Sequence, residues 1–189
     1  MRSGGSRGRR LASECRAWFD GALDLDPATP IFIDETWLST KMACWRGRAL
    51  PHGPWKTTTF TGALRLSGMT ASFVCDGAMN GAVFRADVEQ VPAPTLMPND
   101  VVIRDNLPAH KAAGVRDAIE QAGATLLFLP PYSPDFNPIE SAFSKLKAVP
   151  RAEAEQTINA LRDAVGTLVD QFSPRECANY SRATGYEPD

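Results

Sequence analysis

Val101-Val102-Ile103-Arg104-Asp105 is a largely β-branched run that closes on a carboxylate. A short apolar stretch of this kind reads as a buried strand, and the acid at its end reads as a group delivered to one edge of a sheet. The next two segments set its neighbourhood. Ala109 to Gly123 puts Ala112, Val115, Ile119 and Ala122 on one helical face with Gly123 as the stop, and Thr125 to Leu129 is a second short strand. A helical crossover of that length suits parallel strands.

Upstream, Ile31-Phe32-Ile33-Asp34 repeats the signature of an apolar run ending in an acid. Lys56 to Leu66 and Met69 to Cys75 are Thr/Phe/Val-rich runs joined by Ser67-Gly68, a hairpin signal, although Thr57-Thr58-Thr59 alternates poorly. These three runs suggest an antiparallel meander. After Asn80, helical spacing of Val83, Phe84, Val88 and Val91 ends at Pro92. The expected fold class is α/β: a mixed sheet in which a three-stranded antiparallel meander passes into parallel strands, with helices covering its faces. Residues 1–30 read as an N-terminal tail with one helical turn near Cys15 to Leu23, and 31–189 as one domain.

Downstream, Pro130-Pro131-Tyr132-Ser133-Pro134-Asp135-Phe136-Asn137-Pro138 carries four prolines that fix φ and make a stiff connector. A helix from about Pro138 carries Ile139, Ala142, Phe143 and Leu146 on one face, and Pro150 is expected to end or kink it. A longer helix follows with the stripe Ile158, Leu161, Val165, Leu168 and Phe172. Ser173-Pro174-Arg175-Glu176 reads as a capping box that opens a last helix.

Composition bounds the function. In 189 residues, 43% hydrophobic and 22% charged content with 14 Gly and 15 Pro excludes collagen, coiled coil and wholesale disorder. A net charge of −2 lacks the basic excess of a small nucleic-acid binder, so a role on DNA has to rest on local charge. Cys15, Cys44, Cys75 and Cys177 form no Cys-x-x-Cys pair, and the chain has only His52 and His110 beside them. Neither a zinc site nor a disulfide framework is indicated, and a reduced cytosol is expected. No apolar run approaches the ~18 residues that span a bilayer.

Asp34 and Asp105 each close a strand, and in open α/β sheets ligands bind at the carboxyl ends of strands. Glu140 lies in the first turn of a helix. Oxygen-only ligands from separate elements suit Mg²⁺ or Mn²⁺, and two such ions ~3.5–4 Å apart can serve both the attacking and the leaving oxygen of a phosphodiester. Each acid also has a plain structural reading. Asp34 suits a strand-end turn, Asp105 a helix cap, and Glu140 the N3 position of a cap formed with Asn137 and Pro138.

Three blocks of this sequence resemble a known family. Ile31-Phe32-Ile33-Asp34-Glu35-Thr36, Val102-Ile103-Arg104-Asp105-Asn106 with His110-Lys111, and Leu129 to Glu140 are similar to the signature blocks of bacterial insertion-sequence transposases related to the Tc/mariner group, in the Asp-Asp-Glu superfamily. The 34 residues between Asp105 and Glu140 match the interval of that group. The resemblance implies a ribonuclease-H-like fold and metal-dependent cleavage and strand transfer of DNA during transposition. It implies Asp34, Asp105 and Glu140 as ligands of Mg²⁺ or Mn²⁺, as two ions, and transposon-end and target DNA as partners. A homodimer or a full-length transposase is the expected protein partner, and the bacterial cytoplasm, at the nucleoid, the expected location. Such relatives carry helix-turn-helix modules ahead of the catalytic domain and a longer connection between the equivalents of Arg48 and Pro51. Their absence from this stretch motivates the alternative of a catalytically impaired remnant that only binds DNA or a partner.

Between Glu35 and Asp76 lie 40 residues without an acid, bearing Lys41, Arg46, Arg48, Lys56 and Arg65. Local bases of this kind engage phosphates whatever the net charge. Lys41, Arg46, Arg48 and Lys56 are the expected DNA contacts here, together with His110 and Lys111 after Asp105, and Lys147 on the face of Glu140. Trp37, Trp45 and Trp55 share the basic stretch, either to stack on bases or to pack under the hairpins.

Overall fold

The computed structural model describes residues 13, 17, 18, 25–39, 57–77, 86, 92–106, 114–153 and 158–186. β1 (Pro30–Ser39), β2 (Thr57–Arg65), β3 (Gly68–Asp76), β4 (Val101–Arg104) and β5 (Thr125–Phe128) form one sheet in the order β3-β2-β1-β4-β5. β1 runs antiparallel to β2 and parallel to β4, and β4 is parallel to β5. The mixed sheet expected from the sequence is therefore present, with β1 at the seam between its two halves.

The sheet serves two cores because successive side chains of a strand point to opposite faces. Ile31 and Ile33 join Val102, Leu126, Val115 and Ile119 on the side covered by α1 (Val115–Gln121). Phe32 and Leu38 face the other way, onto Ile139, Ala142, Phe143 and Leu146 of α2 (Ile139–Glu153), all four of which are 0% exposed. α3 (Ile158–Val169) adds Val165 and Leu168, and α4 (Pro174–Ala183) adds Cys177. Ser173 caps α4 by accepting the Glu176 amide at 3.3 Å, as the sequence indicates.

Two local readings change. Thr58, Thr59 and Thr61 are all buried because β2 lies between β1 and β3 with both faces covered, which removes the alternation a half-exposed strand would show. α2 runs through Pro150 to Glu153, so the proline removes one amide donor without ending the helix. Trp18, helical and within the stretch expected to form one helical turn, donates its indole N–H to the Tyr186 hydroxyl at 3.0 Å and packs on the α2-side core. The helix expected after Asn80 lies outside the described residues, apart from the helical residue 86.

Candidate active site

The parallel pairing of β1 with β4 ends at Phe32 and Ile103, while β1 itself continues along β2 to Ser39. Asp34 sits two residues beyond that last parallel pair, on the Phe32 face that α2 covers. It is thus at the carboxyl end of the parallel half although it lies within its strand. Asp105 follows β4 directly, and Glu140 is in the first turn of α2. After β5 the chain is pinned by the Leu129 amide donating to the Arg104 carbonyl at 2.6 Å, then passes through the proline-rich loop and a 3-10 turn at Pro134–Phe136. This loop carries Glu140 to the same edge. Asp34, Asp105 and Glu140 line one cavity of about 340 Å³, with Asn106, Asn137 and the 129–134 loop.

Asp34 is only 7% exposed. Its Oδ1 accepts the Glu35 amide at 2.7 Å and its Oδ2 accepts the Asn137 side-chain amide at 2.7 Å. Burial is the largest influence on its carboxyl and raises it; the Glu35 amide and the Arg104 guanidinium lower it, and the charges of Asp105 and Glu140 raise it. The outcome is a carboxyl pushed up to about 7. A buried acid beside two further acids is a site whose negative charge is poorly compensated by the protein.

Arg104 is fully buried beside this edge. Its Nε donates to the Ile33 carbonyl at 3.3 Å and its guanidinium lies 3.6 Å from Glu35 Oε2. The residue before Asp105 therefore grips the residues on either side of Asp34, extending the β1–β4 contact past the last ladder pair.

The donor set fits a hard divalent cation: all oxygen, anionic, and drawn from three elements. As placed, no three His, Cys, Asp or Glu side chains among the described residues stand close enough together to hold an ion. Glu140 is exposed and lines the cavity.

The plain reading of Glu140 as part of a cap with Asn137 meets a specific difficulty. The Asn137 side chain, expected at the helix N-cap, is 3% exposed and turned to Asp34 instead. Asn137 and Asn106, neither of them among the site residues expected from the sequence, both line the cavity. The only signal for Asn137 is its position three residues before Glu140, which a capping motif explains equally well. Tyr132 carries no such signal; it stands at the cavity mouth, 94% exposed, with φ of 59°. Trp37 is 69% exposed and does not pack under the hairpin.

Of the expected DNA contacts, Lys147 lies two turns along α2 from Glu140, half-buried and not part of the cavity lining. Lys41, Arg46, Arg48, Lys56, His110 and Lys111 lie outside the described residues. Lys145 has a structural role, with Nζ 2.9 and 2.8 Å from the two Glu176 carboxylate oxygens and 4.4 Å from the centre of the Phe172 ring.

Comparison with solved structures gives the same architecture. The catalytic domain of Mos1 mariner transposase matches with a TM-score of 0.67 at 17% identity, covering 100% of this chain and 91% of that one. The Mos1 strand transfer complex matches with a TM-score of 0.73 at 18% identity, covering 100% of this chain and 60% of that one. A pre-cleavage Mos1 transpososome gives 0.72, 17%, 100% and 61%. The chain thus spans about 61% of the transposase chain in that assembly. At these identities the likeness establishes the fold, which is ribonuclease-H-like. No curated protein matches the chain. The family model described as DDE superfamily endonuclease matches residues 31–162, a span that runs from the start of β1 through all three cavity acids and into α3. With more than half of its length matched by that model, the chain belongs to the DDE superfamily endonucleases.

Proposed function

We propose that this chain is the catalytic domain of a transposase that cleaves DNA strands and transfers them to a target in a metal-dependent manner. The observation that carries the reading is the convergence of Asp34, Asp105 and Glu140, from three separate elements, on one cavity where burial and mutual repulsion hold the Asp34 carboxyl up to about 7. Family membership supports the nuclease chemistry, and Mos1, the protein of similar fold, has been solved with Mg and with Mn and as a strand transfer complex.

In this reading the three acids hold Mg²⁺ or Mn²⁺, as two ions. Bound there, the metal would supply activation of the attacking oxygen and stabilisation of the leaving oxygen of a phosphodiester. The chain's own groups do the positioning. Asp34 is fixed by the Glu35 amide and by Asn137, Arg104 holds the carboxyl edge of β1 against β4, and the proline-rich loop gives Glu140 a stiff base. Lys41, Arg46, Arg48, Lys56, His110, Lys111 and Lys147 supply phosphate contacts to transposon-end and target DNA. The working form pairs with a second copy or a longer transposase and acts in the bacterial cytoplasm.

The test is a nicking and joining assay on transposon-end DNA with Mn²⁺, comparing the wild type with Asp105→Asn. Loss of both reactions in the variant is expected. Absence of both from the wild type, or equal activity in the variant, overturns the reading.

A further inference from the structure

Asn137 is a group of the cavity that neither the expected ligand set nor a capping role explains. It stands where the sequence calls for a helix N-cap, and its backbone carbonyl does accept the Glu140 amide at 3.1 Å. Its side chain makes a different bond: Nδ2 donates to Asp34 Oδ2 at 2.7 Å, across 103 positions of sequence. The residue is 3% exposed, and its Oδ1 is buried without a hydrogen-bond partner. Leaving a buried carboxamide oxygen unsatisfied is unfavourable, and a residue that only capped α2 would have no reason to take this orientation.

We propose that Asn137 is a positioning residue, holding the Asp34 carboxylate in the orientation in which it receives a divalent cation. The inference rests on the metal-dependent reading above and deepens it. A carboxylate has about four acceptor sites. Here the Glu35 amide takes one on Oδ1 and the Asn137 amide takes one on Oδ2, so both oxygens are fixed while each keeps acceptor capacity for the cavity. A neutral donor does this without adding a further negative charge to a site that already holds three acids. Asn137 is also three residues ahead of Glu140 and follows the 3-10 turn at Pro134–Phe136, so one stiff segment sets both the carboxylate of β1 and the root of the acid on α2. Groups that orient ligands through hydrogen bonds typically change metal affinity 10–100-fold when removed.

The experiment is a Mn²⁺ titration of the whole chain, read by the electron paramagnetic resonance of the free ion, on the wild type, Asn137→Ser and Asp34→Ala. Serine caps a helix as well as asparagine does but is too short to reach Asp34 Oδ2, so it separates capping from positioning. Asn137→Ser is expected to keep the far-ultraviolet circular dichroism of the wild type, to bind Mn²⁺ about tenfold or more weakly, and to lower kcat with KM for DNA unchanged. Wild-type Mn²⁺ affinity in Asn137→Ser overturns the proposal while leaving the metal reading intact. Equal binding by the wild type and Asp34→Ala removes the metal reading and this proposal with it. Should Asn137→Ser not fold, the near-isosteric Asn137→Leu, which has no proton to donate at any pH, takes its place in the same Mn²⁺ titration. Mn²⁺ affinity at least about tenfold below wild type is then expected, and wild-type Mn²⁺ affinity overturns the proposal.

Discussion

Replacing Asp34 with Asn should make the metal-free protein more stable at pH 8 while abolishing its chemistry. The reason is the direction of the Asp34 shift. Its carboxyl rises from 3.8 to about 7 on folding, chiefly through burial, so the folded state prefers the protonated acid. Well below pH 3.8 the group is protonated in both states and has no effect on stability. Between pH 4 and 7 the unfolded chain ionises first, and stability falls as pH rises; above about 7 the full penalty is in place. A shift of about three units corresponds to about 4 kcal/mol at 1.36 kcal/mol per unit, an upper bound for a side chain that is 7% exposed. The neutral carboxamide of Asp34→Asn lacks that penalty.

The hydrogen bonds can adapt to the change. In Asp34→Asn the new carboxamide oxygen still accepts the Glu35 amide, and its NH₂ then faces the Asn137 NH₂. Rotating the Asn137 amide by half a turn presents Oδ1, which has no partner in the wild type, to that NH₂. Allowing for imperfect adaptation, a gain of about 2 kcal/mol is expected, or about 4–8 °C in Tm for a domain of this size. Thermal melts in EDTA at pH 4 and pH 8 measure it: the two proteins should differ little at pH 4 and diverge at pH 8. Adding Mn²⁺ at pH 8 should reverse the order, since a ligand at 100 times its Kd stabilises the wild type by about 2.7 kcal/mol. An Asp34→Asn protein that melts at or below the wild-type temperature in EDTA at pH 8 would refute the reasoning.

Other perturbations test the frame around the site. Arg104→Ala removes a fully buried guanidinium from the Ile33 carbonyl and from Glu35 and should lower stability by about 3–5 kcal/mol in urea titration. Phe143→Ala, at 0% exposure and packed edge-on to Phe60 with centroids 6.0 Å apart, should lose about 3–5 kcal/mol by the same measurement and loosen the seat of α2. Gly123→Ala forces a side chain onto a φ of +80° with its Cβ 3.4 Å from the Pro98 backbone; a loss of about 1–2 kcal/mol is expected, with nuclease activity retained below the lowered Tm.

How much of this could be read in the sequence depends on what each residue's neighbours in the chain reveal. The strands of the sheet were legible because hydrophobic periodicity is local, and the acids at Asp34 and Asp105 because a charge ending an apolar run stands out within a few residues. Glu140 was legible only through its block, since its turn of helix is explained equally well as a cap. The buried threonines of β2 were not legible: β3 follows β2 directly, but whether both faces of β2 are covered depends on elements remote in sequence. Asn137 is the sharpest case. Its local pattern, Asn-Pro-Ile-Glu, has a complete explanation in helix capping, and that explanation is what hides it. The partner that redirects its side chain is 103 residues away and becomes its neighbour only after β1, β5 and α2 have assembled. Local rules fail where a long-range contact offers a polar group a stronger partner than its own helix does. A charged carboxylate in a buried site is such a partner, because a hydrogen bond to it contributes about 1.5–3 kcal/mol, against about 1 kcal/mol for a cap. The departure of Asn137 from its capping position is thus itself a measure of how strongly the site demands a donor at Asp34.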